Sequence, residues 1–182
     1  MTTGLKNSLL GLMLLVSGIL GFYVFDLTQS SPVEQPQQGL EATSKMLPFA
    51  FPDRQGILRH SDEWSGKILV LNFWATWCDP CKREIPAFIQ LQKTFADQGV
   101  QFVGLAMLDE KPDVIAFAQS MGMNYPVLIG GHEASTLSMQ LGNTLGVLPY
   151  TVITDRSGHI QETILGELSL AEATRILKNL VK

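Results

Sequence analysis

The two cysteines of this 182-residue chain are separated by two residues, Cys78-Asp79-Pro80-Cys81. Such a pair cannot build a multi-bridge disulfide framework; it leaves a single local dithiol, half of a metal site or two inert thiols. What surrounds it narrows the fold. Lys67 to Phe73 reads Lys-Ile-Leu-Val-Leu-Asn-Phe, a near-continuous apolar run rich in branched residues, as a strand covered on both faces requires. A helix is predicted next. Pro80 lies near its start, and Ile85, Phe88, Ile89, Phe95 and Ala96 follow at helical spacing to about Gln98. Gly99 is the expected stop and Pro86 the expected kink. The cysteine pair therefore sits where a buried strand hands over to a helix.

The same reading extends through the chain. Gln101 to Leu108 predicts a second buried strand, Pro112 to Met121 a helix ended by Gly122, and Val127 to Ile129 a short extended piece. Glu133 to Leu141 predicts a helix with a mixed pattern. Tyr150 to Thr154 and His159 to Leu165, joined by a turn at Arg156, Ser157 and Gly158, predict a hairpin. The chain closes on a helix with a capping box at Ser169 and Glu172 and an apolar stripe at Leu170, Ala173, Ile176, Leu177 and Leu180. Upstream, Phe49 to Phe51 and Gly56 to Arg59 suggest a small hairpin. Together these elements predict an α/β fold with a mixed central sheet flanked by helices.

The N-terminal end has a different character. Leu9 to Phe25 is 17 mostly apolar residues, with no charge between Lys6 and Asp26. This is the short limit for a bilayer-spanning helix. Lys6 before it, and Asp26 and Glu34 after it, fit an N-terminus in the cytoplasm and the remainder outside. A cleaved signal peptide is the rival reading, disfavoured because no clear A-x-A site follows and no cysteine is available for lipid attachment. The next stretch is rich in Gln, Ser and Pro and reads as a tether. The expected organisation is a membrane anchor at 1–26, a polar linker at 27–45 and one domain at 46–182. With 46% hydrophobic residues, a net charge of -4 and no long run of Lys or Arg, nothing draws the chain toward nucleic acid.

A strand ending near Ala75 and a helix starting near Cys78 put the first thiol at a helix N-terminus, where free N–H groups and the dipole favour thiolate. Cys78 is thus the expected nucleophile. Cys81, one turn along, is the expected resolving thiol. A zinc half-site would need two more ligands, and His60, His132 and His159 are scattered without H-x-x-x-H spacing; no metal is assigned. Met121 and Met123 could hint at copper, but Met at such spacing is more often core packing.

The block from Asn72 to Pro86, with Trp74, Trp77, Cys78, Pro80, Cys81 and Glu84, resembles thioredoxin-like oxidoreductases. More narrowly, it is similar to the membrane-anchored TlpA/ResA-like and CcmG-like thiol:disulfide oxidoreductases. The resemblance covers about Met46 to Lys182 and includes Gly146-Val147-Leu148-Pro149-Tyr150-Thr151. It implies a thioredoxin-like fold and a cis-proline at Pro149 facing the dithiol, through which the Leu148 backbone would meet an extended substrate peptide. Trp74 and Trp77 are expected to pack beside the dithiol and shield it, with Trp77 also forming part of the substrate surface. Thioredoxin has a buried aspartate where this chain has Asn72, which cannot exchange a proton with Cys81. Glu84 matches a glutamate of the ResA-like group and, if partly buried, would titrate near neutrality; its alternative is a solvated carboxylate pairing with Lys82, Arg83 or Gln90. A peroxiredoxin reading weakens, because that family has a threonine three residues before its cysteine and Ala75 stands there.

The expected function is extracytoplasmic thiol:disulfide exchange, reducing protein disulfides of the cytochrome c or copper-centre maturation type. The alternatives are a protein-thiol oxidant or isomerase, or a copper-binding assembly factor using Cys78 and Cys81. No organic cofactor is implied beyond the Cys78–Cys81 redox pair. The resemblance further implies protein substrates and a membrane electron donor of the DsbD/CcdA kind. The expected location is the bacterial inner membrane, as a single-pass protein whose C-terminal domain lies in the periplasm.

Overall fold

The computed structural model describes residues 45–182. The expected anchor at 1–26 and almost all of the expected linker lie outside the described residues. Among those described, no helix is long and apolar enough to cross a membrane. Lys45, placed by sequence at the end of the linker, already forms a β-bridge with His159, and the Met46 N–H donates to the Gly158 carbonyl at 2.8 Å.

In chain order the elements are β1 (Ala50–Pro52), β2 (Leu58–His60), a 3-10 turn (Ser61–Trp64), β3 (Ile68–Trp74), α1 (Asp79–Phe95), β4 (Val100–Ala106) and α2 (Lys111–Ser120). There follow β5 (Val127–Ile129), α3 (Gly131–Gln140), β6 (Tyr150–Thr154), β7 (Ile160–Leu165) and α4 (Leu170–Leu180). The sheet runs β5-β4-β3-β6-β7, with β3, β4 and β5 mutually parallel, β6 antiparallel to β3 and β7 antiparallel to β6. This is the mixed, thioredoxin-like α/β arrangement expected from the sequence. Strands β1 and β2 form the separate upstream hairpin.

Strand β3 lies at the centre and is buried along its whole length, which explains its unbroken apolar run. Side chains alternate across it. Ile68, Val70 and Trp74 face a core filled by Ile85, Phe88, Leu91 and Phe95 of α1, Val114 and Ala118 of α2, and Ala173, Ile176 and Leu177 of α4. Leu69, Leu71 and Phe73 face a second core with Phe49, Phe51, Trp64 and α3 residues Ala134 and Leu137. Asn72 falls in register with the first set, so its amide points at the α1 side.

Helix α1 carries Pro86 within it and passes into a 3-10 turn at Ala96–Gln98, capped by Gly99 at φ 77°. That left-handed conformation suits glycine. At α4, Ser169 accepts from the Glu172 N–H at 3.2 Å, which is one half of the predicted box. Met123 is buried and Met121 packs against the same core, so both serve as packing residues.

Candidate redox site

The site forms at the end of the sheet where β3 and β4 finish and β6 begins. Register places Phe73 opposite Tyr150 and Trp74 opposite Ala106. Three loops therefore converge there: 75–78 after β3, 107–110 after β4 and 143–149 before β6.

Cys78 is the N-cap of α1, with Pro80 in the first turn. Its backbone is extended (φ -85°, ψ 104°), and its Sγ accepts the Cys81 N–H at 3.3 Å. The sulfur thus occupies the place a Ser or Asp oxygen takes in an ordinary cap, against the positive end of the helix dipole. Cys78 and Cys81 are joined as a disulfide with Cα atoms 5.3 Å apart. They differ in access: Cys78 retains 5% exposure and Cys81 has 0%.

Glu84, one turn beyond Cys81, is 2% exposed. The surface alternative fails because the side chain is buried, and its two cationic candidates are engaged by other carboxylates. Lys82 pairs with Asp79 at 2.9 Å and Arg83 with Glu167 at 2.7 Å. Glu84 instead turns inward, where Oε1 accepts from Asn72 Nδ2 at 2.8 Å and Oε2 from the Leu168 N–H at 2.9 Å. Asn72 Nδ2 also donates to Thr151 Oγ1 at 3.0 Å. Burial raises the Glu84 pKa to about 7, the two hydrogen bonds oppose the rise, and the nearby Glu167 charge adds to it. Glu84 therefore titrates in the neutral range.

This has a consequence for stability. The folded protein keeps a proton on Glu84 between the ordinary pKa of 4.5 and about 7, whereas the unfolded chain releases it. Stability should accordingly be full below 4.5 and fall as pH rises through that window, by on the order of 3 kcal/mol. Glu84→Gln should remove the slope. The Asn72 amide can turn over to offer Oδ1 to the new amide and to the Thr151 hydroxyl, so the variant keeps its bonds. Urea unfolding of the oxidised domain at pH 5 and pH 8 measures this directly, and parallel losses in both proteins would contradict it.

At the rim, Trp77 is 57% exposed and its Nε1 donates to the Leu108 carbonyl at 3.3 Å. Leu108 is itself exposed and holds a positive φ of 59°. The Thr76 N–H and hydroxyl both donate to the Asp109 carboxylate, the hydroxyl at 2.8 Å, which ties the loop before Cys78 to the loop after β4. Across the site the Leu148–Pro149 bond is cis, the isomer the resemblance implies. Pro149 is buried and Leu148 half-buried. The loop before them is organised by buried Asn143, whose side chain bonds both polar backbone groups of Val147 at 2.9 and 3.0 Å. Trp77, Leu148 and Pro149 thus belong to the loops at the dithiol end. The Thr76–Asp109 tie, the Asn143 clasp and the Leu168 contact escaped sequence reasoning, since each joins residues with no motif of their own. Among the described residues, no group of three or more His, Cys, Asp or Glu side chains could hold a metal ion.

Residues 42–163 match the AhpC/TSA family. The chain belongs to that family. Relatives resolve it further: it is 30% identical over 134 residues to thiol-disulfide oxidoreductase ResA of Geobacillus thermodenitrificans, covering 72% of this chain and 74% of the relative. It is 30% identical over 174 residues to the thioredoxin-like protein YneN of Bacillus subtilis, covering 92% and 95%. Among solved structures it resembles a thiol:disulfide interchange protein of the thioredoxin family from Chlorobium tepidum, with 32% identity, a TM-score of 0.70 and coverage of 76% of this chain and 97% of that one. The AhpC/TSA protein described here is thus closely related to the ResA-like oxidoreductases. It is a thiol-disulfide oxidoreductase, and its redox pair is Cys78–Cys81.

Proposed function

We propose that this oxidoreductase is a membrane-anchored, extracytoplasmic reductant of protein disulfides, with the organisation 1–26 anchor, 27–45 linker and 46–182 catalytic domain. The observation that carries the reading is the asymmetry of the pair: Cys78 caps a helix and keeps slight exposure, while Cys81 is enclosed one turn behind it, three residues before a carboxylate that turns inward. In the reduced enzyme the Cys78 thiolate attacks one sulfur of a substrate disulfide, and the other substrate sulfur leaves as a thiolate. Cys81 then attacks Cys78 Sγ in the mixed disulfide and expels the second substrate sulfur. Two electrons have passed to the substrate, and the enzyme holds the Cys78–Cys81 disulfide.

Cys81 must lose a proton before it can attack, and its enclosure disfavours the thiolate. Glu84, poised near neutrality, accepts that proton and returns it when the pair is reduced again. Trp77, Leu148 and Pro149 would border the bound peptide. A membrane donor of the DsbD/CcdA kind, implied by the family resemblance, would re-reduce the pair, and cytochrome c or copper-centre maturation is the kind of substrate it suggests.

Two experiments test the reading. Glu84→Gln should flatten the pH dependence of thiol reactivity between pH 6 and 8, measured by alkylation of the reduced domain; an unchanged profile would remove Glu84 from the proton path. The full chain should stay with membranes through high-salt washing, with residues 46–182 open to protease from outside. A shortened free species beginning beyond Phe25 would identify a cleaved signal instead.

A further inference from the structure

The proton-handling carboxylate is held by a segment with no chemistry of its own, the turn 166–168 between β7 and α4. The Gly166 N–H donates to the Pro149 carbonyl at 2.8 Å. Two residues later the Leu168 N–H donates to Glu84 Oε2 at 2.9 Å, and Leu168 itself is buried. Between these anchors the exposed Glu167 carboxylate receives Arg83 Nε at 2.8 Å and Nη2 at 2.7 Å. The turn therefore runs from the loop that borders the substrate to the carboxylate behind Cys81. It contacts Glu84 through the Leu168 N–H, and a surface ion pair fastens it to the helix that carries both Cys81 and Glu84.

We propose that turn 166–168 is a strap that positions Glu84, with Arg83 and Glu167 as its clasp. Arg83 and Glu167 are positioning residues: they touch neither the sulfurs nor the substrate, and act by keeping Leu168 seated and water away from the carboxylate. The proposal rests on the reading of Glu84 as the proton carrier for Cys81. The polar and charged groups facing Glu84 are Asn72 from β3, with Thr151 of β6 behind it, Glu167 from the strap, and the buried Tyr125 hydroxyl ahead of β5, whose ionisation Glu84 opposes. On its own helix Lys82 is engaged by Asp79 and Arg83 by Glu167. Among the described residues, the clasp is the side-chain hydrogen bond or ion pair that joins strap to helix where solvent can reach it.

The charges make the test decisive. If Glu167 acted on Glu84 through its field alone, Arg83→Met would leave that charge uncompensated and raise the Glu84 pKa. An opened strap loses the Leu168 N–H bond, which holds the pKa down, but it also admits water, and because burial is the largest cause of the upward shift the pKa falls. The Glu84 carboxyl is titrated by carbon-detected NMR in the oxidised full chain, with exchange of the Leu168 amide as a second readout. Arg83→Met and Glu167→Gln should each lower the Glu84 pKa by about one unit and speed Leu168 exchange about tenfold. The double reversal Arg83→Glu with Glu167→Arg should restore slow Leu168 exchange, while the positive charge at 167 keeps the Glu84 pKa below the wild-type value. Gly166→Ala changes no charge, and a Cβ there meets no neighbouring atom, but the φ of 93° disfavours any L side chain; it should move both readouts the same way. A raised Glu84 pKa in Arg83→Met, or wild-type Leu168 exchange in both single variants, overturns the strap. These readouts follow Glu84 itself, so they still decide the matter if Glu84→Gln leaves thiol reactivity unchanged, a result that would sink only the proton-carrier reading.

Discussion

Cys78→Ala should reduce disulfide exchange to the uncatalysed background, whereas Cys81→Ala should stop it half-way with the partner still covalently attached. The difference follows from where the two sulfurs sit. Cys78 is the residue of the pair that keeps some exposure, 5% against 0%, and it sits at the N-cap, where backbone N–H groups stabilise a thiolate. Without it no substrate disulfide can be attacked, because Cys81 is wholly enclosed. Without Cys81 the first attack proceeds, but nothing within the enzyme can break the mixed disulfide. A band shifted by the mass of the partner and reversed by dithiothreitol should therefore accumulate in Cys81→Ala alone. Limiting alkylation of the reduced wild-type domain supplies the check on the assignment: faster modification of Cys81 than of Cys78 would reverse the roles.

The parts legible in the sequence were those written in local patterns. The unbroken apolar run from Ile68 to Phe73 declares a strand buried on both faces, and the step from Trp74 to Pro80 declares a strand-to-helix junction with a thiol at its start. Gly99 and Gly122 mark helix ends because each adopts a positive φ. What remained hidden depends on contacts distant in sequence. Glu84 could equally have been a surface residue until Asn72, 12 positions earlier, and Leu168, 84 positions later, were seen to bond it. Its helix neighbours Lys82 and Arg83 made the surface reading plausible, yet each is taken by another carboxylate. The Asn72 departure from thioredoxin's aspartate also acquires a reason. An aspartate there would set a second carboxylate against Glu84, whereas the amide donates to it and leaves one acid to titrate near neutrality.

The second large effect concerns the reduction potential, which should lie nearer thioredoxin's, at about -270 mV, than DsbA's, at about -120 mV. A dithiol is oxidising when its thiolate is unusually stable, because that stabilises the reduced protein. Here Cys78 has the helix N-terminus in its favour, but the neighbouring residue is Asp79, and no histidine stands between the cysteines to donate to the thiolate. Asp79 is exposed and its carboxyl is held below its usual range by Lys82, so it is ionised at neutral pH and opposes a thiolate beside it. Lys82, at 2.9 Å, cancels part of that field. The Cys78 thiolate should thus be stabilised less than in a strong oxidant. Asp79→His would remove the opposing charge and add a donor, and with about 30 mV for each factor of ten in the equilibrium it should raise the potential by roughly 30 to 60 mV. Equilibration of the purified domain against a dithiothreitol or glutathione couple, with the oxidised fraction read after acid quench and alkylation, measures both proteins. A wild-type potential above about -180 mV, the range of protein disulfide isomerase, would make a reductant role untenable, because the pair would take electrons from protein thiols in an oxidising compartment rather than give them.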